Sequence, residues 1–376
     1  MACTRLRKMS PELSAVSLAI NTRLAKDPRL PDTGDLVAGR YRVRRPLGSG
    51  GMSAVFVAED EQLGRKVALK VLYPDLRRSH DLTARFMNEA CTLAQLSTRY
   101  VVAIYDSGFA ACDGAVDLPF MALELVRGAD LWTLVHDGGR LASPLAVRYM
   151  LDVCEGLAHA HARGIVHRDL KPENLFVALE ADGSECVKVF DFGIAKAPGV
   201  KGRRDLTRHG ESMGSPHYMS PEQLQAAREV DARSDVWAVG AVLYELLTGC
   251  VPFDGATPLE ICSHILCRRP TPPAELSPEL PLPLCAVVER CLMREREARF
   301  GDVAELYAAL APFGGSEGDP HAERAMRLQR LLSREQADPI PLRRRRSQSP
   351  PDARTASGPV FRVRRWLNTA VTALRR

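Results

Sequence analysis

The sequence predicts an α+β protein in two lobes: a small, mostly antiparallel sheet carrying one main helix, followed by a larger helical unit. Three observations point there. From Tyr41 the runs YRVRRPL, AVFVAED and KVALKVL alternate apolar and polar residues between turn residues, the period of strands. Residues 81–96 then place Leu82, Phe86, Leu93 and Leu96 at helical spacing, before further strands at 101–105 and 120–125. Beyond Gly128 the texture turns helical, led by 144–163, where Val147, Met150, Leu151, Cys154, Leu157 and Ala158 share one face.

The remaining elements follow in order. LFVAL and VKVFD form a hairpin across Ala181-Asp182-Gly183, and helices are expected at 234–248, 258–266, 283–293 and 303–310. Residues 1–40 read as an extension and turn-rich linker. Residues 41–313 form the folded unit, with the small lobe at about 41–126 and the large lobe at about 127–313. Residues 314–376 read as a basic, largely disordered tail.

Composition narrows the class. The chain has 376 residues and is 45% hydrophobic, enough for a sizeable core. Its net charge of +5 is uneven: residues 314–376 hold 14 Lys and Arg against 6 Asp and Glu, while residues 41–313 hold 30 against 36. The basic character belongs to the ends. No apolar run approaches the ~18–20 residues of a spanning helix, and the apolar positions after the basic start are broken by Ser17, Asn21 and Arg23, unlike a secretory signal. Ten cysteines without a CxxC pair read as reduced thiols, so a cytoplasmic location is expected.

No aromatic and basic nucleic-acid module is apparent. In the tail, Arg343 to Arg346 precede a stretch whose Val360, Val363, Leu367, Ala370, Val371 and Leu374 share a helical face. A solvated tail with a transient helix is the expected reading, and contact with an anionic membrane surface is the alternative weighed against it.

The chemistry is carried by HRDLKPEN, residues 167–174, followed seventeen residues after Asn174 by Asp191-Phe192-Gly193. Asp169 can accept a hydroxyl proton, Lys171 can offset charge on a migrating phosphoryl group, and Asn174 and Asp191 offer the hard oxygen donors that magnesium prefers. Upstream, residues 47–55 read LGSGGMSAV between two strands, where Gly48 and Gly50 would let the backbone approach phosphates. Lys70 lies fifteen residues beyond Val55 among apolar strand neighbours, where an unpaired ammonium is costly; Glu89 is its candidate partner.

On these residues the chain resembles the eukaryotic-like serine/threonine protein kinases, a family also found in bacteria. The resemblance implies a two-lobed kinase fold binding ATP in the cleft, with Mg2+, or Mn2+ in its place, as metal. The nucleotide would contact Leu47, Gly48, Ser49, Gly50, Gly51, Met52, Ser53, Ala54 and Val55, with Ser53 standing where the family usually has its third glycine. Ala68 and Val55 would lie above adenine and Phe176 below it, Lys70 would bind the phosphates, and the backbone of Glu124 and Val126 would meet the adenine edge beside Leu123. Asp169 would be the base, assisted by Lys171, with Asn174 and Asp191 on the metal.

The resemblance extends to control and support. Arg168 is expected to pair with a phosphate on the activation segment, 191–222, where Thr207, Ser212 and Ser215 are the hydroxyls of the activation loop. Ser215 would also contact Asp169 and Lys171. Glu222 is expected to pair with Arg299, and Asp235 to anchor the catalytic-loop backbone. The implied partners are protein substrates with Ser or Thr acceptors, and a second copy of the chain in a transient homodimer that phosphorylates in trans. A pseudokinase scaffold would have lost one of the catalytic Lys or Asp residues, and a small-molecule kinase of related fold would generally lack the SPE segment at 220–222.

Overall fold

The structure is a computed structural model, describing residues 29–50, 52–77, 79–112, 115–180, 182–193, 216–225, 230–315 and 320–337. Six antiparallel strands build the first lobe: β1 (Leu36–Val37), β2 (Tyr41–Ser49), β3 (Ser53–Asp60), β4 (Arg65–Leu72), β5 (Ile104–Cys112) and β6 (Ala115–Glu124), in the order β1-β2-β3-β4-β6-β5. β4 is central, and its two faces enter different apolar clusters. Val67, Leu69 and Val71 pack with Tyr41, Val43 and Phe56, whereas Ala68 and Leu72 pack with Phe86, Met87 and Ala90. The two-residue period of a strand therefore puts Lys70 on the same face as Ala68 and Leu72.

That face is covered by α1 (His80–Leu93), which starts where Ser79 accepts the Leu82 N–H. Its buried Thr83, Phe86, Met87, Ala90 and Leu93 recur at three- and four-residue steps, and Glu89, also buried, is carried alongside them.

Residues 125–127 cross from β6 to a second, three-stranded sheet of β7 (Gly128–Asp130), β8 (Leu175–Leu179) and β9 (Glu185–Val189). Gly128 is required here: its φ is +148°, and a Cβ would stand 1.9 Å from the Val177 carbonyl oxygen. β9 is tied to the segment entering the first sheet, because Val102 N–H donates to Val189 O and Val189 N–H to Tyr100 O.

The second lobe comprises α2 (Leu131–Gly138), α3 (Ser143–His161), α4 (Pro221–Gln225), α5 (Ala232–Thr248), α6 (Pro258–Cys267), α7 (Pro273–Leu276), α8 (Leu282–Cys291), α9 (Val303–Leu310) and α10 (Pro320–Ala337). α5 is buried over nearly its whole circumference, as a helix at the middle of a core must be, and the apolar faces of α3, α8 and α9 share its core.

The ends of the folded unit differ from expectation. Leu36 and Val37 pair with β2, and Leu30 and Val37 are buried in the first lobe, so the sheet begins inside the expected linker. At the other end α10 lies within the expected disordered tail. Leu328 is fully buried in the second-lobe core, Leu331 and Leu332 pack against it, and Arg327 pairs with the buried Glu155 of α3. Three leucines on one face suffice to dock a helix that is otherwise strongly polar. No helix among the described residues is long and apolar enough to cross a membrane.

Candidate active site

The cleft between the lobes is built around Lys70. Its ammonium donates to Glu89 Oε1 at 2.9 Å and to Asp191 Oδ1 at 2.7 Å. Burial opposes the charged form of the lysine, but the two carboxylates outweigh it and raise its pKa. Burial pushes the Glu89 carboxyl up, whereas for Asp191 the Lys70 ammonium more than offsets burial and holds the carboxyl below its usual range. The Asp191 side chain keeps 54% of its surface exposed, against 9% for Glu89. One carboxylate is thus a buried brace and the other faces the cleft.

The loop from His167 to Asn174 is held from below by Asp235 of α5. Its Oδ2 accepts the His167 N–H at 2.8 Å and its Oδ1 the Arg168 N–H at 3.0 Å; His161 Nε2 stands 2.7 Å from Oδ2. Burial would raise Asp235, but His161 and these bonds hold it below its usual range. Arg168 and Asp191 both adopt positive φ, +66° and +47°, which for residues with a Cβ is sustained only when neighbours enforce it. Asp235 holds the first and Lys70 the second.

His167 is fully buried, and burial lowers its pKa. Its Nε2–H donates to Phe190 O at 2.9 Å, while Nδ1 accepts the Asp169 N–H at 3.2 Å, a pairing that defines one neutral tautomer. Its ring lies 4.5 Å from that of the buried Phe192. Asn174 donates its side-chain amide to Asp169 O at 2.8 Å and accepts the Phe190 N–H through its main-chain carbonyl. Gly193 N–H donates to His167 O, and a Cβ on Gly193 would fall 2.8 Å from Asp169 Cβ. The loop carrying Asp169 and the turn carrying Asp191 are therefore in direct contact, which brings Lys70, Glu89, Asp169, Asn174 and Asp191 into one site.

Above it, β2 and β3 close through a turn in which Gly50 N–H donates to Ser53 O at 2.8 Å. A Cβ on Gly48 would meet no atom within 4 Å, and neither Gly48 nor Gly50 has a left-handed φ. Nothing within the described chain requires these glycines. Leu47, Met52, Val55, Ala68, Leu123 and Leu125 share one apolar cluster at the cleft, and Phe176 lies across from Phe190 with ring centroids 5.7 Å apart. Glu124 ends β6 and Val126 lies within the crossing between the sheets. The Glu124 side chain binds the buried Lys188 of β9, with Nζ to Oε1 at 3.0 Å, and its N–H donates to Ala103 O at 2.9 Å.

Glu222 meets Arg299. Nη1 and Nη2 donate to Oε1 and Oε2 at 2.8 and 2.9 Å, and Ser234 Oγ donates to Oε1 at 2.6 Å. The other Arg299 bonds go to the carbonyls of Met293, Arg233 and Arg294, so every N–H of this buried guanidinium is used. Gly51, Thr207, Ser212 and Ser215 lie outside the described residues. Three site residues were missed by sequence reasoning. Lys188 could have been found as a basic residue in an apolar strand. His161 and Gln223 carry no such signal.

Two lobes meeting at a cleft where Lys70, Asp169, Asn174 and Asp191 come together match the architecture of the protein kinase class. Residues 41–309 match the family model described as protein kinase domain, and the chain belongs to that family. Over 274 residues it is 39% identical to serine/threonine-protein kinase PknB of Mycobacterium tuberculosis, covering 73% of this chain and 43% of that one. It is 38% identical over 279 residues to a probable serine/threonine-protein kinase of Corynebacterium efficiens, covering 73% and 41%. The chain therefore spans about two fifths of the length of these relatives. Among solved structures, the Mycobacterium tuberculosis PknI kinase domain superposes with a TM-score of 0.58 at 26% identity, covering 75% of this chain and 98% of that one.

Proposed function

We propose that this chain transfers the terminal phosphoryl group of ATP to serine or threonine hydroxyls of proteins. One observation carries the reading: Lys70 is held by Glu89 and touches Asp191, whose turn is bonded to the loop of Asp169. Lys70, oriented by Glu89, binds the phosphates. Asp169 accepts the proton of the attacking hydroxyl, and Lys171 offsets charge on the phosphoryl group in flight. Asn174 and Asp191 suit a divalent cation, since each supplies a hard oxygen donor and Asp191 keeps one carboxylate oxygen beyond its bond to Lys70. When bound there, Mg2+ (with Mn2+ as substitute) would neutralise the phosphates and fix their orientation.

The apolar cluster of Leu47, Val55, Ala68 and Leu123 suits a flat base, with Phe176 opposite and the main chain of Glu124 and Val126 at its edge. The open surroundings of Gly48 and Gly50 suit phosphate approach along the 47–55 turn. Glu222, Arg299 and Asp235 act as supports. Arg168 is proposed to receive a phosphate on Thr207, added by a second copy in a transient homodimer.

The test is incubation of the full chain with radiolabelled ATP, Mg2+ and a basic protein substrate, followed by phosphoamino-acid analysis. Label on phosphoserine and phosphothreonine is expected. Label confined to phosphotyrosine, or transfer to small molecules only, would overturn the assignment.

A further inference from the structure

The peptide plane between Arg168 and Asp169 is gripped on both edges. Its N–H, belonging to Asp169, donates to His167 Nδ1 at 3.2 Å, and its carbonyl, belonging to Arg168, accepts from Gln223 Nε2 at 2.8 Å. Gln223 lies 55 residues away, in α4 at the end of the activation segment. Its other amide atom is engaged too: Oε1 accepts the Ser220 N–H at 3.0 Å and the Ser220 hydroxyl at 3.2 Å. The amide can face only this way, because rotation by half a turn would set an NH2 against the Ser220 N–H and an oxygen against the Arg168 carbonyl. Gln223 also follows Glu222, which Arg299 and Ser234 hold fast, so its own backbone is anchored.

We infer that Gln223 is a positioning residue for Asp169. Asp235 secures the N–H groups of His167 and Arg168 but does not reach the next peptide plane. Arg168 sits at φ +66°, a conformation that relaxes unless both of its flanking planes are fixed. Gln223 fixes the second one, the plane from which the Asp169 side chain departs. Gln223, Arg168, Asp169, Lys171, Tyr218 and Met219 also line one small hollow beside the loop, so the link lies next to the segment that carries Asp169. The folded end of the activation segment is thereby wired to the base through a single amide. The inference rests on the proposed role of Asp169 as base.

The test uses the full chain with Gln223→Glu, which keeps the acceptor toward Ser220 and removes the donor, and Gln223→Met, an uncharged side chain of similar length without the donor. Asp169→Asn is assayed alongside. Expected are melting temperatures and ATP affinities close to wild type, with kcat lowered about tenfold in both Gln223 variants at every pH examined, because a small misplacement of a reacting group is felt mainly in turnover. Wild-type kcat in both variants overturns the inference. So does a loss in Gln223→Glu alone that vanishes at high pH, since that assigns the effect to added charge. A fall in melting temperature with kcat unchanged marks a merely structural amide and also overturns it. If Asp169→Asn keeps full activity, the reading of Asp169 as base fails instead.

Discussion

Glu222 and Arg299, 77 residues apart in sequence, form a buried bidentate pair at 2.8 and 2.9 Å. The pair joins the end of the activation segment to the turn before α9, and every remaining guanidinium N–H is spent on a carbonyl. Removing one partner leaves the other charge buried, so Arg299→Ala should lower unfolding free energy by about 3–5 kcal/mol. Urea denaturation of the two proteins measures it.

The same pair makes stability depend on acid. Burial pushes the Glu222 carboxyl up, but bonds from Arg299 and its charge outweigh this and hold it at about 2, against 4.5 unperturbed. A depressed carboxyl contributes stability that is complete above pH 4.5 and is lost as pH falls from there through about 2. We expect a contribution on the order of 3 kcal/mol at neutral pH. Denaturation midpoints between pH 2 and 6 should fall steeply toward acid in the wild type, with this component absent in Glu222→Gln.

Lys70 supplies a different outcome, in which activity fails more than fold. Lys70→Met removes the cation that Glu89 and Asp191 share. Glu89 can then take up a proton, the direction in which burial already pushes it, so the loss of stability is limited. Transfer should fall by about 100-fold or more, because the charge acting on the phosphates is gone. Lys70→Arg should not restore it, since a planar guanidinium cannot replace a compact ammonium in this pocket. Steady-state kinetics with thermal melting separates the two effects.

α10 should behave as part of the folded unit. Leu328 is fully buried and Glu155, 1% exposed, is covered by Arg327. Leu328→Ala should therefore cost about 2–5 kcal/mol, as expected of a buried leucine. An unchanged melting temperature would mean that α10 does not dock in solution.

These positions also mark how far the sequence could be read. Lys70 and Glu89 were legible because a charged residue in an apolar strand demands a partner, and strand and helix periods put both on facing surfaces. Arg299 and Glu222 were legible only through the family resemblance, since neither lies in an apolar run that would mark it as buried. Gln223 was not, because a neutral amide can satisfy itself in water and announces no partner. α10 was hidden since its few leucines are scattered among charges, and only the exposed rim of α3 and α9 gives them somewhere to go. β1 was hidden because two residues cannot display a period. The placement of Lys188 on Glu124 needed the register between two sheets.

The most direct measurement is phosphoryl transfer from ATP to a protein substrate by the full chain and by Asp169→Asn under identical conditions. If Asp169 accepts the hydroxyl proton, the variant should bind ATP as the wild type does and lose activity by about 100-fold or more. Equal incorporation of phosphate by the two proteins would contradict the proposed chemistry.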